Sequence, residues 1–99
     1  MVKHLIIWKL KEEFSAQEKA ERCAKIKANL EALNGKIDGL EELKVRTDFL
    51  DSSNSDVFLD SLFRDEEALK AYITHPEHIK AGKIVRESVC SRSCVDFEI

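Results

Sequence analysis

The chain opens on a stretch, residues 2–11, in which apolar side chains fall on both alternations. His4, Ile6, Trp8 and Leu10 share one parity; Lys3, Leu5, Ile7 and Lys9 share the other. Alternate side chains of a strand point to opposite faces, so this pattern predicts a strand with apolar groups on both faces. Residues 42–50 read as a second strand, with Leu43, Val45, Thr47 and Phe49 on one parity. A third spans 57–64. Its parities are Val57, Leu59, Ser61, Phe63 and Phe58, Asp60, Leu62, Arg64, and both carry large apolar groups. Residues 90–99 form the last, with Val95 and Phe97 on one parity. The cluster at 51–56, rich in Asp, Ser and Asn, is a tight connection.

Between the first two strands the period changes to that of a helix. Ser15-Ala16-Gln17-Glu18 is a capping box, in which each end satisfies a backbone N–H of the other. Ala20, Cys23, Ile26, Leu30 and Leu33 then recur at steps of three and four. Asn34-Gly35 supplies the stop signal. After the third strand, Asp65 is a natural N-cap, with Glu66 and Glu67 in the acidic first turn and Leu69, Tyr72 and Ile73 as the inward stripe. Pro76 ends that helix and, at a first position, starts another that runs to about Val89, weakened at Gly82.

The order strand, helix, strand, strand, helix, strand is the ferredoxin-like βαββαβ pattern of an α+β fold. It predicts an antiparallel four-stranded sheet with the helices on one face. Strands ~17–20 Å long at ~4.8 Å spacing give four of them a footprint of about 350 Å². The first and third strands offer apolar groups to the face that the helices leave bare, and a patch of that size marks an interface. The simplest cover is a second copy packed sheet to sheet about a two-fold axis.

Size and charge narrow the rest. The 99 residues make one domain, 1–99. A domain that small buries only ~60–68% of the surface of its unfolded chain, which itself favours association. With 16 Lys+Arg against 19 Asp+Glu the net charge is −3, and no basic stripe marks a nucleic-acid surface. The longest strictly apolar run, Leu5 to Trp8, falls far short of the ~18 residues of a membrane span, and no secretory leader is visible. Three cysteines do not make a disulfide scaffold. Cys90 and Cys94 on one strand would sit ~13 Å apart, too far to bridge. Reduced thiols in a cytoplasmic protein are the expectation.

The candidate chemistry is histidine chemistry. Tyr72-Ile73-Thr74-His75-Pro76-Glu77-His78 brings a tyrosine and two histidines around a helix break, and His4 lies on the first strand. Histidine exchanges protons near neutral pH, and tyrosine stabilises an enolate or orients a carbonyl. His78 with Tyr72, facing His4, is therefore the candidate acid/base set, although Tyr72 also fits simple core packing and His75 fits a helix cap. His75 and His78 lack the i,i+4 spacing of a helical zinc motif, so no metal set is assigned. No glycine-rich phosphate loop, nucleophile elbow or nucleotide fingerprint is present, and no cofactor is expected.

At these residues the sequence resembles the stress-responsive dimeric α/β-barrel family. Val2-Lys3-His4-Leu5-Ile6-Ile7-Trp8-Lys9-Leu10-Lys11 is similar to its first strand. Phe63 with Glu67-Ala68-Leu69-Lys70-Ala71-Tyr72-Ile73-Thr74-His75-Pro76-Glu77-His78 is similar to its most recognisable stretch, and Val95-Asp96-Phe97-Glu98 to its last strand. The resemblance implies a homodimeric barrel of ferredoxin-like protomers, most bacterial-type members of which have no assigned activity. One plant branch, that of olivetolic acid cyclase, performs a cofactor-free aldol cyclisation of a polyketide with a His and a Tyr, and His4, Tyr72 and His78 match those positions. A further pocket histidine of that branch corresponds to Val57 here, which leaves the pocket more apolar. The resemblance also allows a magnesium ion, for which the sequence offers no carboxylate cluster.

Three functional readings follow. The first is a homodimer that binds a small apolar or keto-containing molecule in a pocket lined by His4, Trp8, Tyr72 and His78. The second is a cofactor-independent enzyme of the aldol-cyclase type, in which His78 takes a proton beside a ketone, Tyr72 holds the oxyanion and His4 orients the substrate. The third is a purely structural stress protein, which requires a filled core.

Overall fold

A computed structural model describes all residues, 1–99. Four strands, β1 (Val2–Leu10), β2 (Leu40–Arg46), β3 (Val57–Phe63) and β4 (Val89–Glu98), form one antiparallel sheet in the order β2-β3-β1-β4. Helices α1 (Ala16–Glu31), α2 (Glu66–Ile73), α3 (Pro76–Ala81) and α4 (Lys83–Ser88) complete the chain. This is the expected ferredoxin-like arrangement, with the second helical segment in three pieces. No helix is long and apolar enough to cross a membrane.

The parities resolve the two faces of the sheet. Val2, His4, Ile6, Trp8 and Leu10 of β1 are buried, as are Val57, Leu59, Ser61 and Phe63 of β3. They pack under Ile26, Leu30 and Leu33 from α1 and its end and under Ala68, Leu69 and Tyr72 from α2 in one apolar core. Ser61 is tolerated there because its hydroxyl donates to the His4 carbonyl at 2.7 Å. The opposite face carries Leu5, Ile7, Phe58, Leu62, Val95 and Phe97. Ile7, Val95 and Phe97 are 44%, 54% and 44% exposed. Ile7 lies across from Phe58 and Leu5 from Val95, so these groups form one patch over β3, β1 and β4. Lys3 and Asp60 stand within it as an ion pair that neutralises both charges. On β2 the same face is charged, with Glu42 paired to Lys44.

The start of α1 is capped as expected. Glu18 N–H donates to Ser15 Oγ at 3.1 Å, and Ser15 N–H donates to Glu18 Oε1 at 2.8 Å. Ala20, expected on the inward stripe, is exposed instead; the buried helical positions are Ile26 and Leu30. Asn34 has a second job besides ending the helix. Its side chain pairs with both the N–H and the carbonyl of Leu43 at 2.9 Å, and Glu31 accepts from Val45 N–H. The outer edge of β2 is thereby covered, which blunts edge-to-edge association.

Two boundaries differ from the expectation. β2 stops at Arg46, so Thr47 and Phe49 do not extend it; Phe49 is 37% exposed in the connection. The ladder ends with Arg46 opposite Phe58, one residue inside β3; just before β3, Asp56 is held to β1, where its carboxylate accepts from Leu10 N–H at 2.7 Å. The helix after Pro76 is interrupted at Gly82, which closes α3 and opens α4. Glycine weakens a helix interior, and a Cβ there would lie 2.9 Å from Arg86 Nη1, so the bare Cα gives the guanidinium its place.

Candidate functional site: a cleft between sheet and helices

A cavity of about 250 Å³ opens between the covered face of the sheet and the helices after β3. β1 contributes His4, Ile6 and Trp8 as alternate residues of one face. β3 contributes Leu59, the helices Tyr72, Ile73, His78, Val85 and Arg86, and β4 Arg92. All four expected binding residues, His4, Trp8, Tyr72 and His78, border this one space. Val57 does not: it is wholly buried opposite Trp8, and Leu59 is the β3 residue that reaches the cavity. Ile73, expected to point inward, is half exposed at the rim.

The helix break aims the polar groups. The Asp65 side chain accepts from Ala68 N–H at 2.8 Å and starts α2 in the phase that buries Tyr72. The chain then turns at Thr74, and His75 caps α3 by accepting from Glu77 N–H on Nδ1 at 3.0 Å, with Pro76 at the first helical position. His75 is thus structural, while His78, on the next turn, faces back to Tyr72.

The Tyr72 and His78 rings lie 4.1 Å apart between centroids and are tilted by 35°. Tyr72 also meets Phe63 edge-on at 4.8 Å and His4 at 6.3 Å. It is 1% exposed, yet its hydroxyl has no protein partner, and no fully enclosed side-chain polar atom in the structure lacks one. The hydroxyl therefore opens on the cavity. Burial pushes its pKa up, which keeps it a protonated donor.

His78 Nδ1 lies 3.2 Å from the Ile73 carbonyl. A carbonyl only accepts, so Nδ1 carries the proton and Nε2 keeps its lone pair. Burial lowers the His78 pKa, against the opposing effect of the Ile73 carbonyl; Coulombic contributions from His4, Arg86 and His75 lower it further. The ring is a neutral base at pH 7. His4 is 4% exposed and its Nδ1 is held by Asp96 Oδ1 at 2.5 Å, which directs Nε2 away from β4. One cavity thus joins a protonated tyrosine, a neutral imidazole with a free nitrogen and a second, anchored imidazole. That set is suited to polarising a carbonyl and removing an adjacent proton.

Two features escape local sequence reading. Asp96 and Cys94 lie on the same face of β4 next to His4, and the ligating atoms of the three fall within 4.8 Å of one another. All three are donor types that hold metals, but Asp96 already engages the His4 nitrogen. Partial desolvation and the Asp96 carboxylate push the Cys94 thiol up, so it is no thiolate nucleophile. The second feature is the pair Arg86 and Arg92 at the cavity. The only signals for either were the alternation that puts Arg92 across from Trp8 and the helical step from Gly82 to Arg86.

Fold and site together define a ferredoxin-like domain with a ligand-sized cleft under its helices. The family model of the stress-responsive A/B barrel domain matches residues 2–99, and the chain belongs to that family. Among solved structures, a dimeric protein of unknown function from Bacteroides fragilis is 36% identical, with a TM-score of 0.93 over 99% of this chain and 95% of that one. A member of the same family from Mesorhizobium loti is 17% identical, with a TM-score of 0.73 over 99% and 95%. A hydroxynitrile lyase from Passiflora edulis shares the fold at 14% identity, with a TM-score of 0.73 over 99% and 92%. No curated protein matches the chain.

Proposed function

We propose that the protein is a homodimer that binds a small apolar or keto-containing molecule in the cleft between sheet and helices. The observation that carries the reading is the Tyr72 hydroxyl: buried in the core, free of any protein partner and open to the cavity. A donor that faces the cleft with no protein acceptor is free to donate to a ligand oxygen. A wholly filled core, as a purely structural role requires, does not fit a 250 Å³ space. Dimerisation is supported by the apolar open face and by similar proteins described as dimeric. Three free thiols fit a reducing cytoplasm.

Titration with 2-octanone, followed by ligand-observed NMR, tests this reading. Binding is expected in the wild type and lost in Val85→Phe, which fills the cavity from α4. Equal binding by the filled variant would overturn it.

The protonation pattern favours a second reading, an acid/base enzyme of the aldol-cyclase type. His78 Nε2 would take the proton α to a ketone. The C–H pair becomes the enolate double bond, and the carbonyl π pair moves to oxygen, where Tyr72 donates a hydrogen bond. The enolate carbon then attacks a second carbonyl of the same chain, and His78 returns the proton. His4 orients the substrate. Deuterium exchange at the α-carbon of β-keto compounds should be catalysed and should vanish in His78→Ala; exchange surviving unchanged removes His78 from the mechanism.

A further inference from the structure

We propose that the ligand of the cleft carries a carboxylate at the end away from its reacting or polarised oxygen, and that Arg92 receives it. This rests on the reading of the cleft as a binding site.

The cavity lining holds His4, His78, Arg86 and Arg92 and not one carboxylate. The ion-paired arginines of the chain are Arg46 and Arg64, so both cavity arginines lack an acidic partner. The chain as a whole carries a net charge of −3, so the cleft departs from the overall balance. Asp96 lies on the same face of β4 but is engaged by His4. Arg86 is already oriented: its Nη2 donates to the Ile79 carbonyl at 2.8 Å, and its guanidinium rests against Gly82. It acts on His78 through its field. Arg92 meets only the Cys94 thiol of its own strand, which leaves most of its five guanidinium donors for a ligand.

The two ends of the cleft are also chemically different. On β1 the floor runs His4, Ile6, Trp8. Four residues of strand separate its ends, roughly 13 Å at ~3.3 Å per residue. Tyr72 and the His4–Asp96 pair stand at one end, and Arg92 is the register partner of Trp8 at the other. Between them lie Ile6, Leu59 and Val85. The apolar middle of the cleft suits an alkyl segment. The geometry therefore selects an oxo acid with an apolar spacer. The planar guanidinium matches a carboxylate with two parallel hydrogen bonds.

Four probes test this: 7-oxooctanoate, its methyl ester, octanoate and 2-octanone, each titrated calorimetrically into the wild type, Arg92→Gln and Arg92→Lys. The acid should bind about tenfold tighter than its ester, the margin of a charge-assisted contact at a half-open site. Arg92→Gln should remove that margin and leave the ester affinity within twofold, and Arg92→Lys should retain part of it. Raising salt to 0.5 M should weaken the acid and spare the ester. Equal affinity of acid and ester in the wild type, or an acid preference that survives Arg92→Gln, overturns the assignment while leaving the cleft a binding site. Failure of all four probes to bind overturns the binding reading itself, and this inference with it.

Discussion

Ile7→Glu is the substitution that most sharply separates the two faces of the sheet. Ile7 is central on β1, points away from the helices, faces Phe58 across the ladder and is 44% exposed. Fully burying an isoleucine side chain contributes about 1.5–3 kcal/mol. The part still exposed on a lone protomer is thus about 1 kcal/mol. A two-fold axis counts it twice, giving about 2 kcal/mol per dimer. Two unpaired carboxylates forced against Leu5, Phe58 and Val95 cost at least as much again. The sum, at least about 4 kcal/mol, is a rise of about a thousandfold or more in the dimer dissociation constant. Sedimentation equilibrium measures it directly. Circular dichroism should show the fold retained, because the residue does not touch the helix-side core. Ala24→Glu, on the exposed face of α1, should leave association unchanged. An Ile7→Glu protein as tightly dimeric as the wild type would refute the assignment of this face.

Other consequences follow from single contacts. Gly39→Ala should destabilise the fold by more than about 2 kcal/mol in denaturant titration. Its φ is +86° and an added Cβ would collide with that of Ala68. Tyr72→Phe should leave the melting temperature nearly unchanged, because the lost hydroxyl bonds nothing in the protein, yet slow α-proton exchange by about a hundredfold or more. The His78 shift gives a signed pH dependence. With its folded pKa below the ordinary value of 6.5, the base survives to lower pH than free imidazole, so exchange should be flat above 6.5 and fall only through a midpoint below it. In the same window the unfolded chain binds more protons than the folded one. The His78 contribution to stability should therefore rise with pH up to about 6.5 and be lost as the pH falls; His78→Gln should flatten that slope.

Much of the fold is written locally. The capping box at Ser15 and Glu18, the Asp65 cap and the stop at Pro76 each depend on residues within one turn, so neighbours in sequence suffice to read them. The two-parity pattern of β1 and β3 already distinguished a covered face from an open one. Where neighbours in space decide, sequence reading stopped short. Thr47 and Phe49 keep the alternation of a strand, but the ladder with β3 ends at Arg46 opposite Phe58, and before Val57 the chain belongs to a turn held to β1. Ala20 keeps the helical step yet lies beyond the reach of the sheet. Tyr72 and His78 were legible because one short segment holds both. The His4–Asp96 pair needs the register of β1 against β4, 92 residues apart in sequence, and Arg92 needs that register together with the placement of α4.

The side-chain nitrogens of the histidines offer the most direct test of the cleft. Long-range proton–nitrogen NMR at pH 7 should find His78 as the Nδ1–H tautomer with Nε2 unprotonated. Adding methyl 7-oxooctanoate should shift the His78 and His4 ring signals to saturation and leave those of His75, the helix cap, in place. A His78 ring protonated on Nε2 alone, or His78 and His4 signals indifferent to the ketone, would contradict the account.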